Sequence, residues 1–197
     1  MRHCAQVLFL LLVTGLVHAQ AYDPDATVQQ KFVSGGTIRF HLEAGGYTIS
    51  PSDSNDIVVT YRSHSESSLK QVRVAIKPAG STADVVIADT PSGQFNVVIE
   101  IPRQSNLWAR LTAGDLVVEN VEGDKDLEVR AGHMQVDIPH PDEYGHCDAS
   151  VTAGGLNASA FDVSKGGLFR SFDHHGPGKY RLHAHVTTGA IDLLAGD

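Results

Sequence analysis

The chain has 197 residues, with 15 lysines and arginines against 23 aspartates and glutamates, so its formal net charge is −8. An acidic chain without basic clusters binds phosphate backbones and anionic lipid surfaces poorly, which argues against nucleic-acid binding and against electrostatic attachment to a membrane. Hydrophobic residues make up 42% of the sequence, enough for one domain with a substantial core.

The first predicted element is an export signal. Arg2 precedes the uncharged run VLFLLLVTGLV, and the segment closes with VHA. This is the pattern of a basic start, an apolar segment and a small-residue cleavage site. We predict cleavage after Ala19, with Ala21 as the alternative. A retained anchor is the other interpretation, although the run is shorter than the roughly 20 apolar residues of a typical transmembrane helix. Residues 1–19 are therefore predicted to be a signal peptide, and residues 20–197 a single exported domain, periplasmic or extracellular.

Strand patterns follow from about Tyr22 to Ile101. Apolar residues occupy every second position in TIRFHLE, DIVVTYR, QVRVAIKP and QFNVVIEIP, as expected for strands with one buried face. Clusters such as PSDSND and TPSG separate these runs and predict turns. We predict that this region is a β-meander, and we find no amphipathic helix pattern after the signal.

A glycine-centred phrase recurs, mainly in the second half of the chain. It reads as an apolar residue, two others, glycine, one other, and then apolar residues at alternate positions. Six glycines occupy the central place: Gly45, Gly114, Gly132, Gly154, Gly166 and Gly189. Because glycine adopts φ > 0 without steric cost, each phrase predicts a strand, a bend and a second strand, both with the apolar face inward. Stacked phrases predict an all-β fold of β-solenoid-like or β-roll type. An antiparallel β-sandwich, with glycines marking hairpins, is the alternative.

The segment VVIEIPRQSNLWARLTAGDLVVENVEGDKDLEVRAGHMQVDI resembles the bacterial putative adhesin family, whose members are exported proteins of unknown function. The features in common are the strand end at Ile101-Pro102, the phrases around Gly114 and Gly132, and Gly123 between them. The opening GGTIRFHLEAGGYTISPSDSNDIVVTYR is similar as well. The resemblance implies a β-solenoid-like or β-roll fold and a place in the envelope or outside the cell, and it supplies no catalytic residues. The histidine-rich connection PHPDEYGHCD departs from the family pattern by its length.

Histidines concentrate late in the chain. His183 and His185 are two apart in YRLHAHV, so they share one face of a strand. Together with His146 or His174 they are candidate metal ligands, since zinc and copper sites use several converging imidazoles. No spacing matches an established metal motif, and surface histidines without a metal are the alternative.

The sequence contains no pattern typical of catalysis. It has no Gly-x-Ser-x-Gly elbow, and its carboxylates do not recur at equivalent positions of the glycine phrases. Cys147, the single cysteine after the predicted signal, is expected to be buried and inert, with pairing to another chain as the alternative. We therefore expect a non-catalytic envelope module without a cofactor, which binds an envelope glycan, a protein or a second copy of itself. We expect no nucleic-acid partner and no stable membrane insertion after cleavage. The alternative is a metal-binding periplasmic protein or a metal-dependent enzyme that uses the late histidines.

Overall fold

The computed structural model describes residues 25–93 and 95–196, apart from the side chains at positions 165 and 166. The predicted signal peptide lies outside the described residues. Within these residues the protein is all-β, with twelve strands in one mixed sheet. In the part of the chain that the structure describes, no helix is both long and apolar enough to cross a bilayer.

The strands fall into two groups by length. The shorter ones come first: β1 (Asp25–Lys31), β2 (Thr37–Leu42), β3 (Gly45–Ser52), β4 (Asp56–Ser63), β5 (Arg73–Ala79), β6 (Thr82–Ala88) and β7 (Phe95–Pro102), with the helix α1 (Glu66–Leu69) between β4 and β5. The longer ones follow: β8 (Asn106–Val118), β9 (Lys125–Asp137), β10 (Tyr144–Ala158), β11 (Val163–His175) and β12 (Tyr180–Leu194). Short 3-10 turns, Pro141–Glu143 and Ser159–Phe161, flank β10.

Glycines in neighbouring long strands lie side by side, and we call this line the glycine row. Gly114 pairs in register with Gly132, Gly132 with Gly189, and Gly189 with Gly154. Gly45, at the start of β3, extends the row on the other side of Gly114. All five have φ between +118° and +158°, a range that residues with side chains rarely adopt. Strand β2 pairs with the half of β8 that precedes the row, and β3 pairs with the half that begins at the row.

Strand β11 departs from this arrangement. The phrase pattern places Gly166 in the central position, but Gly166 pairs with Gly155, whereas Gly167 pairs with Gly154 and has a φ of +115°. Unlike the other long strands, β11 runs antiparallel to its neighbour β10. The reversal follows from the short connection between them, in which Asp162 takes a left-handed conformation with φ of 57°.

The bend directs apolar side chains from both halves of a strand into one core. Along β8, Leu107, Ala109 and Leu111 before the bend are at most 3% exposed, and Leu116 and Val118 after it are fully buried. Burial of each leucine contributes about 1.5–3 kcal/mol. The bend also explains why residues 119–124 are enough to connect β8 to its parallel neighbour β9, because flat parallel strands require a crossover of about a dozen residues or more.

The order of strands in the sheet is not their order in the chain. The main path is β1-β4-β7-β3-β8-β9-β12-β10-β11, while β2 pairs with β6 and β8, and β5 with β6. The predicted N-terminal meander is wrong, because among β1 to β7 only β5 and β6 are consecutive strands that pair. Alternating polarity identifies the buried face of a strand but not its partner.

The pairing of the long strands also bears on the two predicted architectures. The contacts of β8 with β9, β9 with β12, and β12 with β10 are parallel, so the sheet is not the antiparallel sandwich of the alternative. Strand β12 lies between β9 and β10, so the glycine phrases do not stack in chain order as successive solenoid turns would. The structure therefore confirms the all-β class, which both predictions share.

Candidate functional site

The solvent side of the sheet before the glycine row combines charged, aromatic and histidine side chains, and we call it the first-arm face. It is formed by β2, by the first halves of β8, β9, β12 and β10, and by the part of β11 paired with them. Because the register is continuous, one line of side chains crosses all six strands: Arg39, Trp108, Asp126, His183, Asp148 and Asp173. The alternation that buries Leu107 and Ala109 turns the residues between and beside them toward this face.

Trp108 is held in place on the first-arm face by its neighbours. The guanidinium carbon of Arg110 lies 4.1 Å from the centre of the indole ring, and the His41 ring lies 5.1 Å away, centre to centre. Arg110 also pairs with Asp126 through Nη2 at 2.9 Å and with Glu128 through Nε at 3.0 Å. A planar guanidinium can stack on an aromatic ring while it donates to carboxylates. Trp108 is therefore a positioned aromatic surface.

A concavity of about 540 Å³ adjoins Trp108 on the first-arm face. Its lining carries both signs of charge, with Arg39 and Arg181 on the one hand and Asp126 and Asp148 on the other. The volume lies within the range of about 300–1,000 Å³ typical of ligand sites. A second concavity, of about 470 Å³, lies on the outside of β4 and β7 and includes Arg62 in its lining. Of these two concavities, the first has Trp108 in its lining, whereas the described lining of the second contains no tryptophan, tyrosine or phenylalanine.

Of the predicted metal ligands, His183 and His185 share the first-arm face but bind different partners. His183 Nδ1 lies 2.5 Å from Asp148 Oδ2, and His185 Nδ1 lies 2.8 Å from Ser150 Oγ. A serine next to a histidine is one part of a nucleophilic site, which also requires a third group to orient the base. Within the described residues, no carboxylate hydrogen-bonds to His185. The pair therefore lacks the orienting acid of a catalytic triad.

The other two predicted ligands lie on opposite faces of the sheet. His146 Nε2 lies 3.1 Å from Asp173 Oδ2, and His175 Nδ1 lies 2.9 Å from Asp173 Oδ1. The hydrogen bond with His146 is the largest cause that holds the pKa of the Asp173 carboxyl below its usual value. His174 points to the other side, with its ring centre 4.7 Å from that of Phe161. The predicted combination of His183 and His185 with His146 or His174 does not converge.

Two groups within the described residues bring three possible ligand atoms within 4.8 Å of one another: His146, Asp173 and His175, and Asp126, Glu128 and His183. The prediction from sequence spacing did not include the acids, because each group joins residues of different strands. Period-2 alternation was the one available signal, since it places Asp126 and Glu128 on the same face of β9.

A buried lysine lies on the core side of the same strands. Lys125 is 2% exposed, and its Nζ donates to the Gly123 carbonyl oxygen at 3.0 Å and to the Tyr144 hydroxyl oxygen at 2.6 Å. Burial lowers the pKa of Lys125 to about 8. Burial also raises the pKa of the fully buried Cys147 thiol to about 12. Cys147 is buried, as predicted, and has no disulfide partner among the described residues. Lys125 also borders the concavity beside Trp108.

Comparison with known proteins gives a match in structure but none in sequence. No protein-family model matches the chain, and no curated protein matches it. The solved structure of a putative cell adhesion protein from Clostridium sporogenes superposes with a TM-score of 0.58, over 86% of this chain and 99% of that one, at 11% identity. The two chains share a fold. The resemblance seen in the sequence is thereby confirmed at the level of the fold, and at this identity the likeness extends no further.

Two further solved structures align over most of the chain with lower scores. A putative adhesin from Bacteroides fragilis covers 87% of this chain and 97% of its own, with 11% identity and a TM-score of 0.36. A putative lipid binding protein from Parabacteroides distasonis covers 85% and 73%, with 10% identity and a TM-score of 0.36. At these scores neither structure carries an argument about the site.

Proposed function

We propose that this protein is an exported, non-catalytic binding module of the bacterial envelope, with an envelope glycan as its ligand. The first-arm face is the binding surface in this proposal, and the bent strands form a solenoid-like platform that presents it. The observation that carries the proposal is Trp108, which lies beside a concavity lined by charges of both signs. An aromatic platform with polar neighbours suits a ligand that has both apolar and hydroxyl-bearing surfaces.

Rigidity of the surface supports this assignment. Arg110 contacts the indole of Trp108 and two carboxylates of β9, so little side-chain freedom remains to be lost on binding, and that loss is one of the main costs of association. The continuous parallel register of β8, β9, β12 and β10 gives an extended surface that is suited to a polymer.

Absence of catalysis is part of the proposal and has its own support. Ser150 and His185 form a contact to which no carboxylate of the described residues is added. Asp148 and Asp173, which face solvent on β10 and β11, are both engaged by histidines. Export is supported by the signal pattern before Gln20, and the adhesin-type fold is consistent with it.

The fluorescence of Trp108 provides the direct test, because it is the single tryptophan of the sequence. The mature chain from Gln20 would be titrated with soluble cell-wall glycan fragments while its emission is followed. We expect a saturable change in emission, and we expect Arg39→Ala to weaken binding at least about tenfold by removing a charged group from the lining.

Arg62→Ala is the matched control, since Arg62 lines the second concavity. It should leave the affinity unchanged. If Arg62→Ala weakens binding and Arg39→Ala does not, the ligand binds outside β4 and β7 and the first-arm assignment is wrong. If no glycan fragment changes the emission, the glycan assignment is wrong. Turnover of the bound fragment would refute the non-catalytic role.

A further inference from the structure

The pair of histidines at the outer end of the first-arm face is arranged around one carboxylate. His146 on β10 and His175 on β11 are register partners, and Asp173 lies two residues before His175 on the same face. The two rings stack with centres 4.4 Å apart at an interplanar angle of 22°. Asp173 contacts both rings, one through each of its oxygens. Two antiparallel strands thus fix three possible ligands at one end of the sheet.

The spacing of these groups matches that of a first-row metal site. Zinc binds imidazole nitrogen and carboxylate oxygen at about 2.0–2.2 Å, so two ligand atoms of a tetrahedral site lie about 3.3 Å apart. The nitrogen–oxygen separations here are 3.1 Å to His146 and 2.9 Å to His175. An ion bound by both imidazoles would replace the two hydrogen bonds, and the stacked rings would have to turn until the lone pairs in their planes point to one position. Two imidazoles and one carboxylate are also a ligand set that zinc uses when one position stays open.

The group of His146, Asp173 and His175 differs in charge from the second group, which contains Asp126, Glu128 and His183. The carboxylates of Asp126 and Glu128 are already paired with Arg110, at 2.9 Å and 3.0 Å, so a cation there would have to displace a guanidinium. Among the described side chains, which do not include that of Lys165, no lysine or arginine pairs with Asp173. Its side chain is 61% exposed and that of His175 is 73% exposed, so an ion can reach them from solvent.

We propose that His146, Asp173 and His175 bind one divalent transition-metal ion of the zinc type, with the remaining coordination position open to water. The sheet supplies the order of the site, because the three side chains come from paired positions of β10 and β11. The metal site borders the proposed glycan surface, because His146 also lines the concavity beside Trp108, but its metal binding can be tested with Zn²⁺ alone.

The test is a Zn²⁺ titration of the metal-free mature chain in competition with a chromophoric chelator. We expect one bound ion per chain. His146→Ala and His175→Ala should each lower the affinity by more than about tenfold, since the loss of a direct ligand should exceed the cost of losing an outer partner. Asp173→Asn should weaken binding in the same direction. Circular dichroism and urea unfolding would verify that the variants fold.

His174→Ala and His183→Ala are the matched controls. His174 is adjacent to His175 but faces the other side of the sheet, and His183 belongs to the second group. Both variants should retain the affinity, and Zn²⁺ should stabilise them against urea as it does the unmodified chain. If His146→Ala does not fold, His175→Gln tests the same site at an exposed position. Absence of zinc binding, unchanged binding in His175→Ala or His175→Gln, or loss of binding in either control would overturn the proposal.

Discussion

Gly154 belongs to the glycine row and Gly155 is the next residue. Comparing an alanine substitution at each of them tests why the central position of the phrase requires glycine. Gly154 has a φ of +138°, and a Cβ added there would overlap the carbonyl group of Gly189. A Cβ added to Gly155 would meet no atom nearer than Ala190 Cβ at 4.0 Å. The backbone conformation costs an alanine at 154 about 1–3 kcal/mol. Separation of the two strands adds about 1–3 kcal/mol of overpacking strain.

Gly154→Ala should therefore lower the free energy of unfolding by about 2–6 kcal/mol, a large part of the roughly 5–15 kcal/mol typical of a domain. Gly155→Ala should leave it unchanged or raise it by up to about 1 kcal/mol, because the unfolded chain loses freedom. Urea unfolding of the mature chain, followed by far-ultraviolet circular dichroism, measures both. Equal effects of the two substitutions would refute the steric role of the glycine row. If Gly154→Ala is insoluble while Gly155→Ala is stable, this outcome also supports the steric role, because it is a larger destabilisation at the same position.

Three other predictions concern single side chains. Because burial lowers the pKa of Lys125 to about 8 from 10.5, the unfolded state binds more protons in that interval. The unfolding free energy should rise, relative to Lys125→Met, by on the order of 3 kcal/mol between those pH values; a pH-independent difference in urea unfolding would contradict this. Arg110→Lys should shift Trp108 emission to longer wavelength by exposing the indole, and an unchanged spectrum would show that the stacking is unimportant. The Cys147 thiol, buried and with a pKa raised to about 12, should react with a thiol reagent only as fast as the mature chain opens; rapid reaction in the native state would disprove its burial.

Period-2 patterning predicted the strands well because burial is a local property of each strand. Ile38, Phe40 and Leu42 alternate in the sequence, and all three are buried in β2. The same pattern has no information about neighbours, since any strand with one apolar face can pair with any other. Prediction therefore succeeded for the all-β class and failed for the meander.

Asp192 illustrates why side-chain contacts between strands cannot be predicted when the order of the strands in the sheet is unknown. Gln135 and Asn157 each lie three positions after the central glycine of their phrase. If the phrases were stacked in chain order, these two residues would be neighbours. In the structure β12 lies between their strands, so Asp192 accepts from Asn157 Nδ2 at 3.0 Å and contacts His133 Nε2 at 2.6 Å. The group of Asp126, Glu128 and His183 was missed for the same reason, because it joins β9 to β12, which are not consecutive strands.

The position of β12 also has a consequence for how the protein is made. This strand follows β8 to β11 in the sequence, yet it is the parallel neighbour of both β9 and β10. Chains generally begin to fold from the N-terminus while they are being synthesised, but here β10 and β11 cannot join the rest of the sheet until β12 is present. For the export proposed above, in which the chain would cross a membrane unfolded, this delay is favourable, because the second half of the sheet closes only after residues 180–194 are available.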